Sequence, residues 1–310
     1  MRLTIGTRGS RLALTQADII AGLLKEKQRD LEIERKIIKT TGDKIRDAPL
    51  AKIGGKGLFV KEIDEAVVRG DVDFAVHSMK DVPTELSDGL EIVCVPEREE
   101  VNDALISREG LAIDELPMGA VIGTSSLRRR AELLNYRSDF RVKDLRGNVD
   151  TRIRKVLEGQ YDAIVMAKAG LERLGLTQHI TQTLPSDIFV PSVGQGAIAV
   201  VARSDFVHID LLGAISVGEG LAGITAERAL LRNLGGGCQV PIGAVTTFED
   251  DKIILRGVVL SPDGKRKVTA VEGGDLENAS EVGRMAAVQL LKGGATEILK
   301  EVYGEIPTPR

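Results

Sequence analysis

The chain has 310 residues, of which 43% are hydrophobic and only 3% aromatic, with no tryptophan. This length predicts two or three domains whose cores are filled mainly by Ile, Val, Leu and Ala. The net charge of −4 argues against a general role in binding nucleic acid or membrane surfaces. Since no apolar run approaches the ~20 residues of a membrane span and residues 1–6 show no signal-peptide core, we expect a cytoplasmic protein.

Cysteine and histidine usage limits the chemistry further. The two cysteines, Cys94 and Cys238, lie in such different settings that a disulfide framework is not expected, which fits a reducing compartment. The three histidines form no cluster with cysteines at metal-ligand spacing. The sequence therefore predicts no metal site.

The first part of the chain alternates strand-like and helix-like segments. In chain order these are strand 3–5, helix 12–25, strand 31–38, helix 58–68 and buried strand 74–77. Such alternation is typical of a mostly parallel sheet with helices on both faces.

The same pattern restarts near residue 120. The segments are strand 120–122, helix 126–134, strand 140–145, helix 149–157 and strand 163–166. Residues 5–12 resemble 122–129, and residues 70–76 resemble 159–165, in the same order. We therefore predict two similar α/β lobes that face each other across a cleft: residues 1–96, completed by about 196–214, and residues 97–195.

The last third changes character. A helix at 222–234 is followed by strands at 242–247, 253–260 and 268–272, with a turn at 261–264, and then by a helix at 279–292. This order predicts a small α+β domain over residues 215–310.

Each predicted lobe opens with a strand, then Gly-Thr, then hydroxyl side chains at a helix start. A helix N-terminus offers free N–H groups and the positive end of the helix dipole. With the hydroxyls of Ser10, Thr124, Ser125 and Ser126, it would make an anion cradle. Simple N-capping explains the hydroxyls equally well, but it does not explain the arginines beside them in both lobes.

Positive charge concentrates in residues 121–160, which contain ten Lys/Arg and five Asp/Glu in a chain that is acidic overall. Arginine matches carboxylate or phosphate groups in bidentate pairs. A charge run is usually a solvated face. However, Arg146 follows a strand and Arg152 a helix start, and ligand sites of α/β proteins lie at strand ends. We favour a polyanionic ligand over a solvated face.

Residues 76–83 run from an apolar strand into Ser78, Met79, Lys80 and Asp81 before Pro83. A carboxylate at the carboxyl end of a strand could bind ligand N–H groups, stabilise a developing cation and move protons. Asp81 could equally cap a turn or helix. His77, on the apolar strand, is interpreted as a core residue.

Two glycine-rich loops carry one notable side chain each. Residues 52–57 lack the P-loop spacing, so the loop with Lys56 is either a mobile cover or a flexible connection. Cys238 lies in the loop 234–241 and is either a reactive or attachment residue or an incidental one. Cys94 is interpreted as a core cysteine.

Together these segments resemble the porphobilinogen deaminase (hydroxymethylbilane synthase) family along nearly the whole chain. The motifs that carry the resemblance are GTRGS (6–10), PLAKIGGKGLF (49–59), AVHSMKDVP (75–83), GTSSLRR (123–129), LRGNV (145–149), VGQGA (193–197) and GGCQVP (236–241). The resemblance implies two lobes like those of a periplasmic binding protein and a third domain that carries a cofactor cysteine.

The family joins four porphobilinogen molecules head to tail, releases ammonia at each step and frees linear hydroxymethylbilane with water. The resemblance implies a dipyrromethane cofactor attached to Cys238 by a thioether. It implies that Asp81 contacts pyrrole N–H groups and stabilises the cationic azafulvene left when ammonia departs.

The resemblance also assigns the binding residues. Those expected to bind the acetate and propionate groups of cofactor and substrate are Arg8, Ser10, Lys80, Thr124, Ser126, Arg128, Arg129, Arg146 and Arg152. Further binding positions are Lys56, Ser78, Ser125, Gly147, Asn148 and Gln195. Lys168 departs from the family pattern by adding a cation at a position of the cleft that is often apolar.

Porphobilinogen is then the expected partner of a monomer that binds neither nucleic acid nor membrane. The alternative is a non-catalytic two-lobe binding protein for a polycarboxylate or phosphate ligand. Such a protein would need neither Asp81 nor Cys238. A nucleic-acid binder is disfavoured, because the stretch 128–155 has few aromatics for stacking and the net charge is negative.

Overall fold

The computed structural model describes residues 1–44, 57–236 and 240–303. The chain divides into two compact units, Met1–Glu99 with Gly196–Leu221, and Glu100–Gln195 with Ala222–Arg310. Among the described residues, no helix is long and apolar enough to cross a membrane.

The strands are β1 (Arg2–Thr7), β2 (Glu32–Ile37), β3 (Phe74–Ser78), β4 (Leu90–Cys94), β5 (Asp103–Ser107), β6 (Val121–Gly123), β7 (Arg141–Lys143), β8 (Ala163–Ala167), β9 (Gln182–Thr183), β10 (Ile198–Arg203), β11 (Ile242–Glu249), β12 (Lys252–Leu260) and β13 (Lys267–Asp275). The helices are α1 (Arg11–Lys27), α2 (Thr41–Lys44), α3 (Lys61–Val68), α4 (Leu127–Tyr136), α5 (Val149–Leu157), α6 (Lys168–Arg173), α7 (Ile209–Gly213), α8 (Gly218–Asn233), α9 (Ala279–Leu290) and α10 (Thr296–Tyr303). Short 3₁₀ turns lie at Met79–Asp81, Thr177–His179 and Leu276–Asn278, and a π turn at Leu291–Ala295 joins α9 to α10.

Two five-stranded sheets share one topology. The first sheet, in the first unit, has the order β2-β1-β3-β10-β4, and the second, in the second unit, has the order β7-β6-β8-β5-β9. In each sheet the first three strands are parallel and the fourth runs antiparallel to both neighbours. The predicted α/β fold class, with two similar sheets and a small α+β part, is confirmed.

The resemblance between the two sheets extends to individual hydrogen bonds. In the first sheet the Asp73 carboxylate accepts from the Thr4 N–H at 2.6 Å, and the Asp73 N–H donates to the Thr4 carbonyl. In the second sheet Asp162 makes the same two bonds with Val121, with the carboxylate contact at 2.8 Å. Because these aspartates lie in the paired segments 70–76 and 159–165, the sequence echo corresponds to a repeated structural unit.

Helix α1 shows why the predicted helices form. Ser10 caps its N-terminus by accepting from the Ala13 N–H, and Lys25 and Lys27 lie in the last turn, at the negative end of the helix dipole. Its buried residues Ile20 and Leu24 join the core of the first sheet. Spacing of three to four residues places this apolar face against the sheet.

The third sheet is the antiparallel meander β11-β12-β13, which shares a core with α8, α9 and α10. It lies in the same unit as the second sheet, and the Ala244 N–H of β11 donates to the carbonyl of Pro191, in the segment that follows β9. Gly283, in α9, is buried against α8. A Cβ there would lie 2.1 Å from the Ala226 carbonyl oxygen.

This close approach predicts the effect of two alanine substitutions. Gly283→Ala should lower the free energy of unfolding by about 2 kcal/mol, because α9 must move away from α8. The exposed Gly22, in α1, has nothing within 4 Å of a built Cβ. Gly22→Ala should therefore raise the free energy of unfolding by about 0.5–1 kcal/mol. Urea denaturation followed by circular dichroism measures both, and equal effects would contradict the packing argument.

Candidate active site

The carboxyl ends of β1, β2 and β3 lie at one edge of the first sheet, since these strands are parallel. Arg8, Gly9 and Ser10 follow β1, residues 40–43 follow β2, and the 3₁₀ turn Met79–Asp81 follows β3. The structure thus places the predicted residues Arg8, Ser10, Ser78, Lys80 and Asp81 at the same edge of one sheet.

Arg8 is held from two sides. Its Nη2 lies 2.5 Å from Asp43 Oδ1, its Nε also donates to this carboxylate, and its guanidinium carbon lies 4.3 Å from the centre of the Phe59 ring. Burial alone would raise the pKa of Asp43, but hydrogen bonds and charge from Arg8, with help from Thr40, hold this pKa below its ordinary value. Asp43 therefore stays ionised and fixes a half-buried guanidinium at the strand ends.

Asp81 lies in a turn that the backbone fixes. The Met79 N–H donates to the Ala197 carbonyl on the strand side, and the Val82 N–H closes the turn on the Met79 carbonyl. The Asp81 side chain is half-buried, and it makes no hydrogen bond or ion pair with any residue that the structure describes. A carboxylate in this setting can accept hydrogen bonds from a bound ligand.

Ser78 and His77 lie just before this turn and point to opposite faces of β3. Ser78 Oγ accepts a hydrogen bond from Nε2 of the buried Gln16 at 2.9 Å and lies 3.2 Å from Gln16 Oε1. His77 is buried and its Nε2 lies 3.1 Å from Asp64 Oδ1, as expected of a core residue with a satisfied ring. Gln16 and Asp64 thus support the segment that carries Asp81.

The second sheet presents an equivalent edge, where β6, β7 and β8 end and β5 begins. After β6, Thr124 Oγ1 accepts from the Ser126 N–H, and Ser126 caps α4 by accepting from the Arg129 N–H. Ser125 Oγ donates to the Leu145 carbonyl and accepts from the Leu145 N–H. All three predicted hydroxyls are therefore committed to shaping the loops, and N-capping is part of their role.

Arg128 and Arg129, at the start of α4, are buried around one aspartate. Arg128 Nη2 lies 2.8 Å from Asp103 Oδ2, and Arg129 Nη2 lies 2.7 Å from Asp103 Oδ1. Gln195 joins them, because its Nε2 donates to Asp103 at 2.8 Å and its Oε1 accepts from Arg129 at 3.2 Å. Burial would raise the pKa of Asp103, but the charges of Arg128 and Arg129 outweigh it and hold this pKa far below its ordinary value.

Arg128 also binds Glu132, one helical turn further on, at 2.6 Å, and the Val190 carbonyl at 2.8 Å. Arg128 therefore links α4 to β5 and to the segment before Gln195. Arg129, with the same aspartate, lies at the predicted anion-binding edge.

The loop between β7 and α5 carries Arg146, Gly147 and Asn148, and Arg152 lies in the first turns of α5. Arg146 is half-buried, and its Nη2 is buried with no hydrogen-bond partner among the described residues. Gly147 has a φ of 118°, and a Cβ there would lie 2.7 Å from the Thr151 side chain. Arg152 Nε donates to the Gly147 carbonyl at 2.7 Å, and the exposed Asn148 precedes α5 at its N-cap position.

Other cations of the basic stretch bind the protein itself. Arg137 pairs with Asp139 and donates to backbone carbonyls, Arg130 donates to the Val142 carbonyl, and Lys155 donates to the Arg146 carbonyl. The local excess of positive charge is therefore partly structural.

Two predicted residues, Lys56 and Cys238, lie outside the described residues. Sequence reasoning did not identify four side chains that organise the edges: Asp43, Phe59, Asp103 and Glu132. Asp43, Phe59 and Asp103 act through contacts that only the tertiary structure reveals, whereas Glu132 lies four residues after Arg128 on α4, a spacing that helix periodicity would have indicated. Among the described residues, no group of three or more His, Cys, Asp or Glu side chains is placed to hold a metal ion.

These features define an α/β protein whose strand ends gather arginines, hydroxyls and a carboxylate suited to an anionic ligand. Residues 3–210 match the family model described as porphobilinogen deaminase, dipyromethane cofactor binding domain. Residues 221–292 match the model described as porphobilinogen deaminase, C-terminal domain. The chain belongs to the porphobilinogen deaminase family.

Curated relatives match over nearly the whole length. A porphobilinogen deaminase of Desulforudis audaxviator is 50% identical over 301 residues, which cover 97% of each chain. One of Pelotomaculum thermopropionicum is 50% identical over 304 residues, which cover 98% of this chain and 97% of the relative. Among solved structures, a methionine binding protein, MetQ, aligns at 14% identity with a TM-score of 0.44, covering 69% of this chain and 89% of its own. The relatives support the enzyme rather than the non-catalytic alternative.

The buried cluster predicts a pH-dependent stability. Burial raises the pKa of Glu132 to about 8, although the positive charge of Arg128 lowers it. The negative charge of Asp103 also raises this pKa, and the positive charges of Lys267 and Arg129 also lower it. At pH values between 4.5, the ordinary pKa of a glutamate, and about 8, Glu132 is protonated in the folded state but ionised in the unfolded chain. Stability should therefore fall as pH rises through this range, because the folded state binds more protons.

Glu132→Gln should remove this dependence, so that the variant gains stability over the wild type progressively from pH 5 to pH 8. Urea denaturation at several pH values measures the difference, with the exposed Glu91→Gln as control. Parallel pH curves for wild type and Glu132→Gln would show that Glu132 is ionised in the folded protein throughout.

Proposed function

We propose that this chain is a cytoplasmic, monomeric hydroxymethylbilane synthase. It joins four porphobilinogen molecules head to tail, releases ammonia at each addition and frees linear hydroxymethylbilane by hydrolysis. Family membership over nearly the whole chain supports the reaction. The placement of a half-buried Asp81 at the end of β3, without a partner among the described residues, supports its role as the catalytic carboxylate.

The residues fit a dipyrromethane cofactor. Its acetate and propionate groups need cationic and N–H donors, and each sheet edge, taken by itself, carries such donors. The buried Nη2 of Arg146 is a guanidinium donor that a ligand carboxylate would satisfy. Arg8 and Lys80 would serve at the first sheet, and Arg129, Arg146 and Arg152 at the second.

When bound, the cofactor supplies the pyrrole end to which the first substrate is joined. Cys238, in its glycine-rich loop, would hold it through a thioether. Lys56, in the other glycine-rich loop, would reach the chain of pyrroles.

Asp81 would accept hydrogen bonds from pyrrole N–H groups of the substrate. As ammonia leaves, positive charge develops on the substrate, and a nearby carboxylate stabilises that charge. The turn Met79–Asp81 fixes the Asp81 backbone at the end of β3, so its carboxylate would be available there before positive charge develops. Arg128, being buried against Asp103 and Glu132, would position Arg129 and the α4 N-terminus.

The intact mass of the purified, denatured protein tests the assignment. We expect an excess equal to two linked pyrrole units, absent from Cys238→Ser, because the thioether survives denaturation. Incubation with porphobilinogen should add further units to the wild type. A bare mass for the wild type, unchanged by porphobilinogen, would contradict both the cofactor and the reaction.

Asp81→Asn should lower kcat by at least about 100-fold, the scale of losing one electrostatic contact to a developing charge. Asp88→Asn, at an exposed position of the same loop region, is the matched control and should keep normal turnover. Turnover is measured as hydroxymethylbilane formed, and mass confirms that the variant carries its cofactor. Near-normal turnover by a cofactor-loaded Asp81→Asn would remove Asp81 from the mechanism.

A further inference from the structure

Lys168 lies at the carboxyl edge of the second sheet. It is the first residue of α6 and directly follows β8, the central strand of this sheet. Its N–H donates to the Asn102 carbonyl at 3.0 Å, next to the start of β5. On the other side of β8, strand β6 leads into residues 124–126. Lys168 therefore shares this edge with the proposed carboxylate-binding residues.

The first sheet also carries a lysine close to the end of its central strand, one residue beyond the position that the Asp73–Asp162 register pairs with Lys168. Strands β3 and β8 occupy equivalent places, as shown by the matched bonds of Asp73 and Asp162 at their starts. The end of β3 leads to Lys80 and Asp81, and the end of β8 leads to Lys168. Each sheet thus places a lysine after its central strand.

The Lys168 ammonium is held loosely. Its Nζ lies 3.6 Å from Glu172 Oε1 and 3.9 Å from Glu100 Oε2, beyond ordinary hydrogen-bond length. The pair with Glu172 spans four residues with lysine on the N-terminal side, the less favourable orientation on a helix. The side chain keeps 21% exposure, and ion pairs in contact with solvent contribute little to stability. Lys168 can therefore leave these partners at little cost.

Arg128 and Arg129 differ in this respect. They are buried and their bonds to Asp103 are 2.7–2.8 Å long. Moving either guanidinium would leave a buried charge without its partner, which is costly. Of these three cations, Lys168 is the one that can change partner during a reaction.

Each porphobilinogen unit brings an acetate and a propionate, so the number of carboxylates rises with every addition to the chain. We propose that Lys168 binds one carboxylate of the porphobilinogen that is being added, and that its ammonium leaves Glu100 and Glu172 to do so. This inference rests on the proposed function. In this role Lys168 contributes to the affinity for porphobilinogen, while Glu172 competes with the substrate for the same ammonium.

Steady-state kinetics of variants that remove either the positive charge of Lys168 or the negative charge of Glu172 test whether Lys168 binds the substrate. Lys168→Met should raise KM roughly fivefold with a smaller change in kcat, as expected for loss of one partly exposed charged contact. Lys168→Arg should restore most of the affinity. Glu172→Gln should lower KM roughly twofold, because a competitor for Lys168 has been weakened.

A matched control comes from the other unit. Lys61 and Glu65 form the same kind of loose pair on α3, four residues apart, with Nζ at 4.0 Å. Lys61→Met should leave KM unchanged. Intact masses of enzyme quenched during turnover show which chain lengths accumulate, and we expect Lys168→Met to enrich particular shorter species.

The outcomes separate two failures. Wild-type enzyme that takes up no porphobilinogen refutes the proposed function. Active wild type with an unchanged KM in Lys168→Met, or KM increases in both Lys168→Met and Glu172→Gln, refutes substrate binding by Lys168 and leaves an ordinary ion pair. If Lys168→Met unfolds, as judged by thermal denaturation, the sign of the KM change in Glu172→Gln decides.

Discussion

One buried aspartate, Asp103, organises the carboxyl edge of the second sheet. It accepts hydrogen bonds from Arg128, Arg129 and Gln195, and so joins the start of β5 to α4 and to the end of the segment before Gly196. Charges buried this deeply are tolerated only when paired and hydrogen-bonded. The pairing fixes the N-terminus of α4, and through the cap Ser126 it fixes the loop that carries Thr124 and Ser125. The geometry of the proposed binding edge therefore depends on a residue that need not touch the ligand.

The first sheet holds its arginine in place by different contacts. Arg8 is fixed by Asp43 and by the face of Phe59, and it remains half-buried. A cation–π contact together with one carboxylate holds the guanidinium without burying it. Those of its donor positions that have no partner among the described residues can then meet a ligand at the strand ends. The two sheets share strand order and the aspartate contacts at their starts, but their cations are supported by unrelated side chains.

The sequence predicted the strongly periodic elements well. Helix α5 spans residues 149–157 as predicted, and the strand expected at 163–166 is β8 with one further residue. Strand β5 was not predicted, because it begins with the charged Asp103, whose burial is stabilised by arginines 25 and 26 residues away in the sequence. The partners of Arg8 were missed for the same reason, since Asp43 and Phe59 are brought to it by the fold. Composition alone could not tell which cations of residues 121–160 bind the protein itself.

A site that receives successive carboxylate-bearing units needs two kinds of cation. Fixed cations such as Arg129 provide a constant positive potential, because their buried partners keep them in place. Using the buried bonds of a fixed cation for a new carboxylate would leave its buried partner uncompensated, which would cost stability. Loosely paired cations avoid this cost, since local carboxylates neutralise them until a substrate carboxylate replaces those partners. The two kinds of cation differ in their distances: Arg129 lies 2.7 Å from Asp103, whereas Lys168 lies 3.6 Å from Glu172.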